Sequence, residues 1–426
     1  MTVTIVLIVF FIMLLLGVRV FVAMGLAASI GIAMLLGPQQ AIRDVASFLW
    51  QSTAIFEFIA IPLFVFVGVL VQATGFGADM LDFCNAFTGR IPNALAVAVV
   101  ITSAFFASIC GSSVANAATL SLVAVPLLAK EGYPASLRGG VVAAGGTLGL
   151  LIPPSIPLII YGVLTETSVG QLFLAGIVPA VIMGVLFAVY LIVLARPQIR
   201  RVSSGFTDYR GLTLRALPML ILPILVFTAI FTGSMTPSEV GALAVLYIIV
   251  LGLARKKLTL ATIGECSRTA AQTSTMLIML VATGLLFSQF MSLEQVPQNL
   301  AAFITHLSTS KLVVMSAMTL VYLVMGTFLE SAAMLIISIP IFFPIAMAVG
   351  LSPVQFGIFA ALNQEVAQIH PPLGINLITV SGITKIPLER LMLGVLPFIA
   401  IQLIMIYVIY FVPQLVLWLP SHALHF

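Results

Sequence analysis

The sequence predicts an all-α polytopic membrane protein built from two inverted repeats, each with five transmembrane helices and one re-entrant hairpin. Three observations lead to this fold class: the composition, prolines inside two apolar spans, and a Gly/Pro pattern that occurs twice. Of the 426 residues, 62% are hydrophobic and only 7% are charged, whereas a soluble domain carries about 25% charged residues. Uncharged stretches such as residues 20–36 and 58–76 are long enough to cross a bilayer.

Prolines interrupt an apolar segment that reads GLLIPPSIPLII, residues 149–160. Each proline removes a backbone donor and clashes with the preceding turn, and hydrocarbon offers no water to the carbonyls that are freed. The same feature recurs as IHPPLGINLITV, residues 369–380. We therefore expect two broken helices whose backbone groups and helix ends line a binding site.

An internal repeat relates the two halves of the chain. Eight residues between Ser113 and Pro179 recur 218 positions later as the same residue type, and Pro153 and Pro154 are among them. Because glycine and proline fix backbone geometry, the shared spacing indicates two copies of one backbone. The alternative is chance matching in a Gly/Pro-rich apolar chain. The predicted boundaries are residues 1–200 for the first repeat, 201–215 for a cytoplasmic linker, and 216–426 for the second repeat.

Each repeat is predicted to contain five crossings and one hairpin. In the first repeat the spans lie near residues 2–17, 20–37, 57–76, 136–165 (broken) and 170–195, with a hairpin over 92–129. In the second repeat they lie near residues 216–232, 239–254, 272–291, 354–383 (broken) and 391–412, with a hairpin over 311–349.

The basic residues orient these elements in the membrane. With the amino terminus outside, all 17 Lys and Arg residues except Arg43 and Lys311 fall on the inner side, as the positive-inside rule requires. Five crossings is an odd number, so the second repeat is inverted and both termini are expected to be periplasmic. Inverted repeats with helices broken at the midplane are the architecture of secondary transporters.

Composition and motifs exclude several other functions. Three scattered cysteines and four histidines without ligand spacing do not indicate a disulfide framework or a thiolate metal site. The net charge of +4 serves topology and does not indicate nucleic-acid binding, and no Gly-rich phosphate loop is present. An intramembrane enzyme would need a Ser–His or paired-Asp arrangement at membrane depth, so the protein is predicted not to be an enzyme. A channel is a further alternative, but two capped hairpins are more consistent with a transporter that works by alternating access than with an open pore.

Small polar residues mark the turn of the first hairpin, ASICGSSVANAATL, residues 107–120. Ser112, Ser113 and Asn116 are therefore candidates for substrate binding. Gly146 and Thr147 would face them from the broken helix. The alternative is that these small residues only pack helices closely together.

The second hairpin turns at MGTFLESAAM, residues 325–334, which contains Thr327 and Glu330. Because ionisable groups at membrane depth are costly, they are functional candidates. Glu330 and Glu365 are thus candidates for holding a cation, and the alternative is structural pairing with His370 or with helix ends. So few carboxylates do not favour a divalent site. Hydroxyl and carbonyl oxygens at both half-sites suit a sodium ion.

At these residues the chain resembles the large permease subunit of tripartite ATP-independent periplasmic (TRAP) transporters, of the four-carbon dicarboxylate or sialic acid type. The runs that carry the resemblance are FFASICGSSVANAATL, GGTLGLLIPPSIPLIIYG and HPPLGINL. The resemblance implies a scaffold-plus-elevator fold and sodium-driven uptake of organic acids across the bacterial inner membrane. It also implies two partners, a periplasmic substrate-binding protein and a separate small four-helix membrane subunit. The alternative is a stand-alone cation-coupled di- or tricarboxylate carrier.

The resemblance also implies site residues. The expected sodium positions are Ser108, Cys110, Gly146, Pro153, Thr327, Gln364 and His370, to which the polar clusters add Thr147 and Glu365. The expected substrate-binding residues are Ser112, Ser113, Asn116, Ser155, Thr327, Glu330, Asn376 and Thr379. Cys110 stands where a hydroxyl or a glycine is expected, which alters the first cation site.

Overall fold

The computed structural model describes residues 1–88, 91–194, 209–307, 310–327 and 329–423, and these residues form α-helices and no strand. The prediction of an all-α fold is therefore confirmed for the described residues. In chain order the helices are α1 (Thr2–Leu15), α2 (Val20–Leu36), α3 (Pro38–Thr53), α4 (Ala60–Thr74), α5 (Phe76–Thr88), α6 (Ala94–Cys110), α7 (Ser113–Lys130), α8 (Ala135–Thr147), α9 (Ile156–Thr165), α10 (Val169–Val189), α11 (Tyr209–Phe231), α12 (Pro237–Ala254), α13 (Leu260–Leu293), α14 (Val296–Leu307), α15 (Lys311–Gly326), α16 (Ser331–Ala348), α17 (Pro353–Ile369), α18 (Ile375–Thr384), α19 (Leu388–Phe411) and α20 (Gln414–Ala423). Short 3₁₀ turns cover Phe56–Ile59 and Leu148–Leu150, and a π-helical turn covers Tyr190–Leu194.

The helix order of the first half recurs in the second. Helices α7 and α16 begin 218 residues apart, at Ser113 and Ser331. Helices α8 and α17 also begin 218 residues apart, at Ala135 and Pro353. In both halves a long helix pair (α6–α7, α15–α16) precedes a helix that stops and restarts after a few residues (α8–α9, α17–α18).

Among the described residues, 8 helices are long and apolar enough to cross a membrane. Six of them match predicted crossings, and the other two, α7 and α16, are the second arms of the predicted hairpins. The four remaining predicted crossings are α1 and α2, with 14 and 17 residues, and the two broken helices, whose halves are too short singly. A count by helix length therefore gives a different number from the ten predicted crossings, because it omits the short helices α1 and α2 and the two broken helices.

The two halves differ at their third span. In the first half, α3 and α4 are separate helices joined through the Phe56–Ile59 turn, whereas α13 runs without a break over 34 residues. Pro62 lies in the first turn of α4, and its ring would clash with the carbonyl of residue 58 in a continuous helix. The equivalent stretch of α13 contains no proline.

The segment that joins the halves is partly helical. Helix α11 begins at Tyr209, inside the linker predicted at residues 201–215. The earlier part of that linker, and Arg196, Arg200 and Arg201, lie outside the described residues.

Close packing joins the halves where α8 crosses α19. A Cβ atom on Gly140 would lie 2.5 Å from the carbonyl oxygen of Gly394, and one on Gly394 would overlap the carbonyl oxygen of Ser136. Gly140 and Gly394 carry no side chain, so the two backbones come into close contact at this crossing. The crossing fixes the broken helix of the first half against the second half.

Candidate functional site

The turn of the first hairpin packs against the first helix break. Gly111, between α6 and α7, has φ of +60°, a conformation that glycine adopts without steric cost. A Cβ atom there would lie 2.6 Å from the carbonyl oxygen of Pro154. Ser112 caps α7, since its Oγ accepts a hydrogen bond from the Ala115 amide at 3.3 Å.

Side chains and turns satisfy the backbone at the first break. Between α8 and α9, Ser155 Oγ donates to the Leu150 carbonyl at 2.6 Å and accepts from the Leu158 amide at 3.4 Å. The Pro153–Pro154 peptide bond is cis, as is Pro371–Pro372 in the second break. Ser155 is fully buried, and both of these hydrogen bonds are to backbone groups of the break.

The second hairpin is tied to the second broken helix. Ser331 Oγ, at the start of α16, donates to Gln364 Oε1 of α17 at 2.5 Å. Glu330 occupies the N-cap position of α16 without capping it through its side chain. The pairing of a hairpin with its own broken helix thus occurs in both halves.

The two half-sites also interlock with one another. Asn376 Nδ2, at the start of α18, donates to Ser113 Oγ at 2.7 Å and to the Ala143 carbonyl at 3.2 Å. Gly146 of α8 lies beside this contact, and a Cβ atom there would be 3.2 Å from Asn376 Nδ2. The second break therefore reaches the hairpin and broken helix of the first half, although the residues are 263 positions apart.

A cavity of about 220 Å³ lies between the two hairpin turns. Residues 110–115 and 330–332 of the turns form one side of it, and residues 65–72 of α4 and 273–277 of α13 form the other. Its polar lining consists of Gln72, Ser112, Ser113, Thr273, Glu330, Ser331 and Gln368. Gln368 is 3% exposed, and its Oε1 has no hydrogen-bond partner in the described part of the chain. The volume suits a small polar molecule, since pockets for drug-sized ligands are about 300–1,000 Å³.

The predicted substrate-binding residues divide into two groups. Ser112, Ser113 and Glu330 line the cavity. The other five do not: Asn116, Ser155 and Asn376 are fully buried and bonded within the protein, and Thr327 and Thr379 donate to carbonyls of their own helices.

The predicted sodium positions lie around both breaks. Cys110 lines the cavity, Ser108 donates to the Phe105 carbonyl at 2.6 Å, and Gly146, Thr147 and Pro153 are buried at the first break. Near the second break, several polar atoms of α17 and the following turn have no partner among the described residues: Gln364 Nε2, Glu365 Oε1, Gln368 Oε1 and His370 Nδ1. Unpaired polar atoms in such a place indicate room for a ligand or an ion.

Sequence reasoning missed four residues of this region as site residues. Gln72, Thr273 and Gln368 line the cavity, and Gln402 of α19 is fully buried and donates to Thr147 Oγ1 at 2.8 Å. The available signal was a single amide in a long apolar stretch of each of two helices, α4 and α19.

A second cavity, of about 600 Å³, lies elsewhere in the molecule. It is lined by residues 55–60 before and within α4, by residues 159–170 around the α9–α10 turn, and by residues 230–238 between α11 and α12. All three segments were predicted to lie at the periplasmic side.

We expect the Asn376–Ser113 hydrogen bond to be measurable as a coupling energy between the halves. In a double-mutant cycle on thermal or denaturant unfolding, Asn376→Ala and Ser113→Ala should show a coupling of about 0.5–1.5 kcal/mol, because each removes the same bond. The control cycle pairs Asn376→Ala with Ser121→Ala, since Ser121 is buried and donates to the Ala117 carbonyl of its own helix. Equal coupling in both cycles would contradict the interlock.

Comparison with known proteins identifies the family. The model of the tripartite ATP-independent periplasmic transporter, DctM component, matches residues 7–415. The C4-dicarboxylate TRAP transporter large permease protein DctM of Pseudomonas aeruginosa is 33% identical over 401 residues, which are 93% of each chain. The isethionate TRAP transporter permease protein DctMQ of Oleidesulfovibrio alaskensis is 33% identical over 95% of this chain and 64% of its own length. The sialic acid TRAP transporter large permease protein SiaM of Vibrio cholerae is 32% identical over 86% of each chain.

A solved structure shares the fold. The crystal structure of the YdaH transporter of Alcanivorax borkumensis matches with a TM-score of 0.61 and 15% identity, over 90% of this chain and 89% of that one. The relatives are permeases by name, which supports the prediction of a protein that is not an enzyme. With the family model covering nearly the whole chain, the predicted resemblance is confirmed: the protein belongs to the DctM family, the large permease components of tripartite ATP-independent periplasmic transporters.

Proposed function

We propose that the protein is the membrane permease of a sodium-coupled importer of a small organic acid, and that the acid binds in the cavity between the hairpin turns. The cavity is the observation that carries the proposal, because both half-sites and two further helices contribute polar residues to it. The named substrates of the relatives, C4-dicarboxylates, isethionate and sialic acid, are all small organic anions. We therefore infer a carboxylate or similar anion as substrate.

The start of α7 is suited to an anionic group. Residues 112–115 line the cavity, and the first amides of a helix have no acceptor within the helix. The positive end of the helix dipole favours an anion there. None of the described lining residues is Lys or Arg, and Glu330 carries the single formal charge. The anion would thus depend on helix amides, on Ser112 and Thr273 hydroxyls, and on Gln72 and Gln368 amides.

Bound sodium would supply the positive charge that the cavity lining lacks. A carboxylate in a low-dielectric site needs such compensation. Oxygen atoms at the breaks and turns, including those of Ser108, Thr147 and Gln364, are of the type that coordinates a hard cation. Sodium and substrate binding would then favour each other, which is the basis of coupling.

Thr273 offers a direct test of the cavity. Thr273→Val keeps the shape of the side chain and removes the hydroxyl. We expect uptake in reconstituted vesicles to fall by about tenfold, because the loss of one hydrogen bond to the substrate, about 1.4 kcal/mol, corresponds to a factor of ten in affinity. Thr275→Val is the matched control, because Thr275 is exposed on the same helix and bonds to Ala271. Equal uptake by the two variants would remove the cavity from the substrate path.

Sodium dependence is tested by ion replacement. With the complete transporter in vesicles and the pH gradient held fixed, we expect replacement of external sodium by choline to abolish uptake, because no other charge neutralises the bound anion. Uptake that persists in choline and stops when the pH gradient is removed would show proton coupling instead.

We further propose an elevator mechanism in which each hairpin moves with its broken helix against a frame that contains α4 and α13. The contacts between these units contain glycines. A Cβ atom on Gly68 of α4 would lie 3.0 Å from the carbonyl oxygen of Cys110, and one on Gly284 of α13 would overlap the side chain of Ile336 on α16. At Gly68 two backbones approach closely without an intervening side chain, whereas the Ile336 side chain occupies the space that Gly284 leaves open.

The cavities agree with an inward-facing arrangement, if both termini are periplasmic and the repeats are inverted as we propose. Helix α4 would then run inward, so that residues 65–72 beside the substrate cavity belong to its cytoplasmic half. The larger cavity would lie at the periplasmic side. There the α9–α10 turn, the 3₁₀ turn Phe56–Ile59 and the α11–α12 connection line it together. Outward movement of the hairpins and broken helices would fill it.

A disulfide bond can test the sliding step. In Gly68→Cys, the new Cβ would lie 3.6 Å from Cβ of native Cys110, within the usual range of about 3.5–4.5 Å for a disulfide. We expect oxidation to stop uptake and reduction to restore it, because the bond would lock the first hairpin to the frame.

The control for this test is Gly68→Cys combined with Cys110→Ser, which cannot form the bond and should show uptake insensitive to oxidant. Uptake at the reduced level with the crosslink formed in high yield would contradict movement between these units.

We propose that the permease lies in the bacterial inner membrane and works with a small membrane subunit and a periplasmic substrate-binding protein. The O. alaskensis relative named DctMQ extends well beyond the part that this chain matches, which supports a second membrane component. The alternative of a stand-alone carrier is not favoured, since the relatives are named as TRAP transporter permeases.

A further inference from the structure

Glu365 lies where three helices from both halves meet. It belongs to α17 and is 0% exposed, as are Thr147 at the end of α8 and Gln402 of α19. Gln402 Nε2 donates to Thr147 Oγ1 at 2.8 Å and to Glu365 Oε2 at 3.3 Å. The sequence assigned Thr147 to the first half-site and Glu365 to the second, whereas the structure joins them in one network through a residue that was not considered.

This network has no positive charge to balance its carboxylate. Glu365 Oε1 and Gln402 Oε1 have no hydrogen-bond partner within the ranges that the structure describes. The ion pair found in those ranges, between Lys257 and Asp79, is partly exposed and lies at another place. A buried carboxylate with one long hydrogen bond is costly in a membrane interior unless a cation or a proton accompanies it.

We propose that Glu365, Gln402 and Thr147 form a binding site for one monovalent cation. The available ligands are a carboxylate, an amide oxygen and a hydroxyl, which are the oxygen types that hard cations prefer. A single carboxylate matches a single positive charge, whereas a divalent ion usually draws more carboxylates. A half-turn of the Gln402 amide exchanges its nitrogen and oxygen ends, which would place Oε1 beside both partners and leave all three oxygens facing the ion.

The ion would hold the two halves of the mobile unit together. Thr147 ends the helix that precedes the first break, and Glu365 lies four residues before the end of the helix that precedes the second. The inference rests on the proposed sodium coupling and adds to it a site away from the hairpin turns. Occupation of this site would stabilise the arrangement in which Asn376 reaches Ser113.

The test is sodium binding by the purified permease with its small subunit, measured with radioactive sodium at equilibrium. Glu365→Gln keeps the size and removes the charge, so we expect it to bind one sodium ion fewer than the natural protein. We also expect the sodium concentration for half-maximal thermal stabilisation to rise by about tenfold in Gln402→Leu, since that change removes a ligand.

Gln355→Leu is the matched control for Gln402→Leu. Gln355 is also a buried amide between α17 and α19, since its Nε2 donates to the Ile409 carbonyl at 3.1 Å, but no carboxylate is bonded to it. A general loosening of these helices would affect both leucine variants, whereas loss of the cation site would affect only Gln402→Leu.

The outcomes separate this site from the proposed function. An unchanged number of bound sodium ions in Glu365→Gln, with uptake still dependent on sodium, would overturn the site and leave sodium coupling intact, because Glu365 would then carry a proton. Absence of any bound sodium in the natural protein would overturn sodium coupling itself.

Discussion

The lack of water inside a bilayer governs this structure more than any other constraint. Two helices that are predicted to span the membrane stop and restart, and each stop leaves carbonyl groups that hydrocarbon cannot satisfy. The protein surrounds the first break with its own groups: Ser155 donates to the Leu150 carbonyl, Gly111 brings a hairpin turn against Pro154, and Gly176 brings α10 against the Leu151 carbonyl. The hairpins are therefore needed to bury the breaks, and the polar cavity forms where the hairpins end.

The same constraint bears on the proposed elevator mechanism, because the elements proposed to move together are hydrogen-bonded to each other. Hairpins and broken helices satisfy each other through contacts such as Ser331 with Gln364 and Asn376 with Ser113. A separation of those elements would expose polar groups to hydrocarbon at a cost of several kcal/mol each. Between the hairpins and α4 or α13, Gly68 and Gly284 contribute no side chain to the contacts. In the proposed mechanism, each hairpin would therefore move as one unit with its broken helix.

Much of the fold could be predicted from the sequence, because hydropathy marks the spans and proline marks the breaks. The third span is divided into α3 and α4 in the first half and is the continuous helix α13 in the second. We attribute this difference to Pro62, which has no counterpart in α13 and was not considered when the repeats were compared. The site was predictable in residue type but not in pairing. Ser112 and Ser113 at the first hairpin turn line the cavity, as predicted. Asn376 instead donates a hydrogen bond to Ser113, and Gln402 belongs to a helix in which no pattern of polar residues indicated a site. Such partners depend on helix crossings, which no local periodicity encodes.

The unequal third spans have an energetic consequence. Helix α13 is a rod of 34 residues, about 51 Å long at 1.5 Å per residue, whereas its counterpart is jointed at residues 54–59. In the proposed elevator mechanism, exchange of conformations between identical halves would give two resting states of equal energy, and the unequal third spans would remove that equality. An imbalance of only 1.4 kcal/mol populates one state tenfold over the other. In the proposed mechanism, the empty protein would rest preferentially on one side of the membrane, and the proposed sodium gradient would act with or against that preference in each cycle.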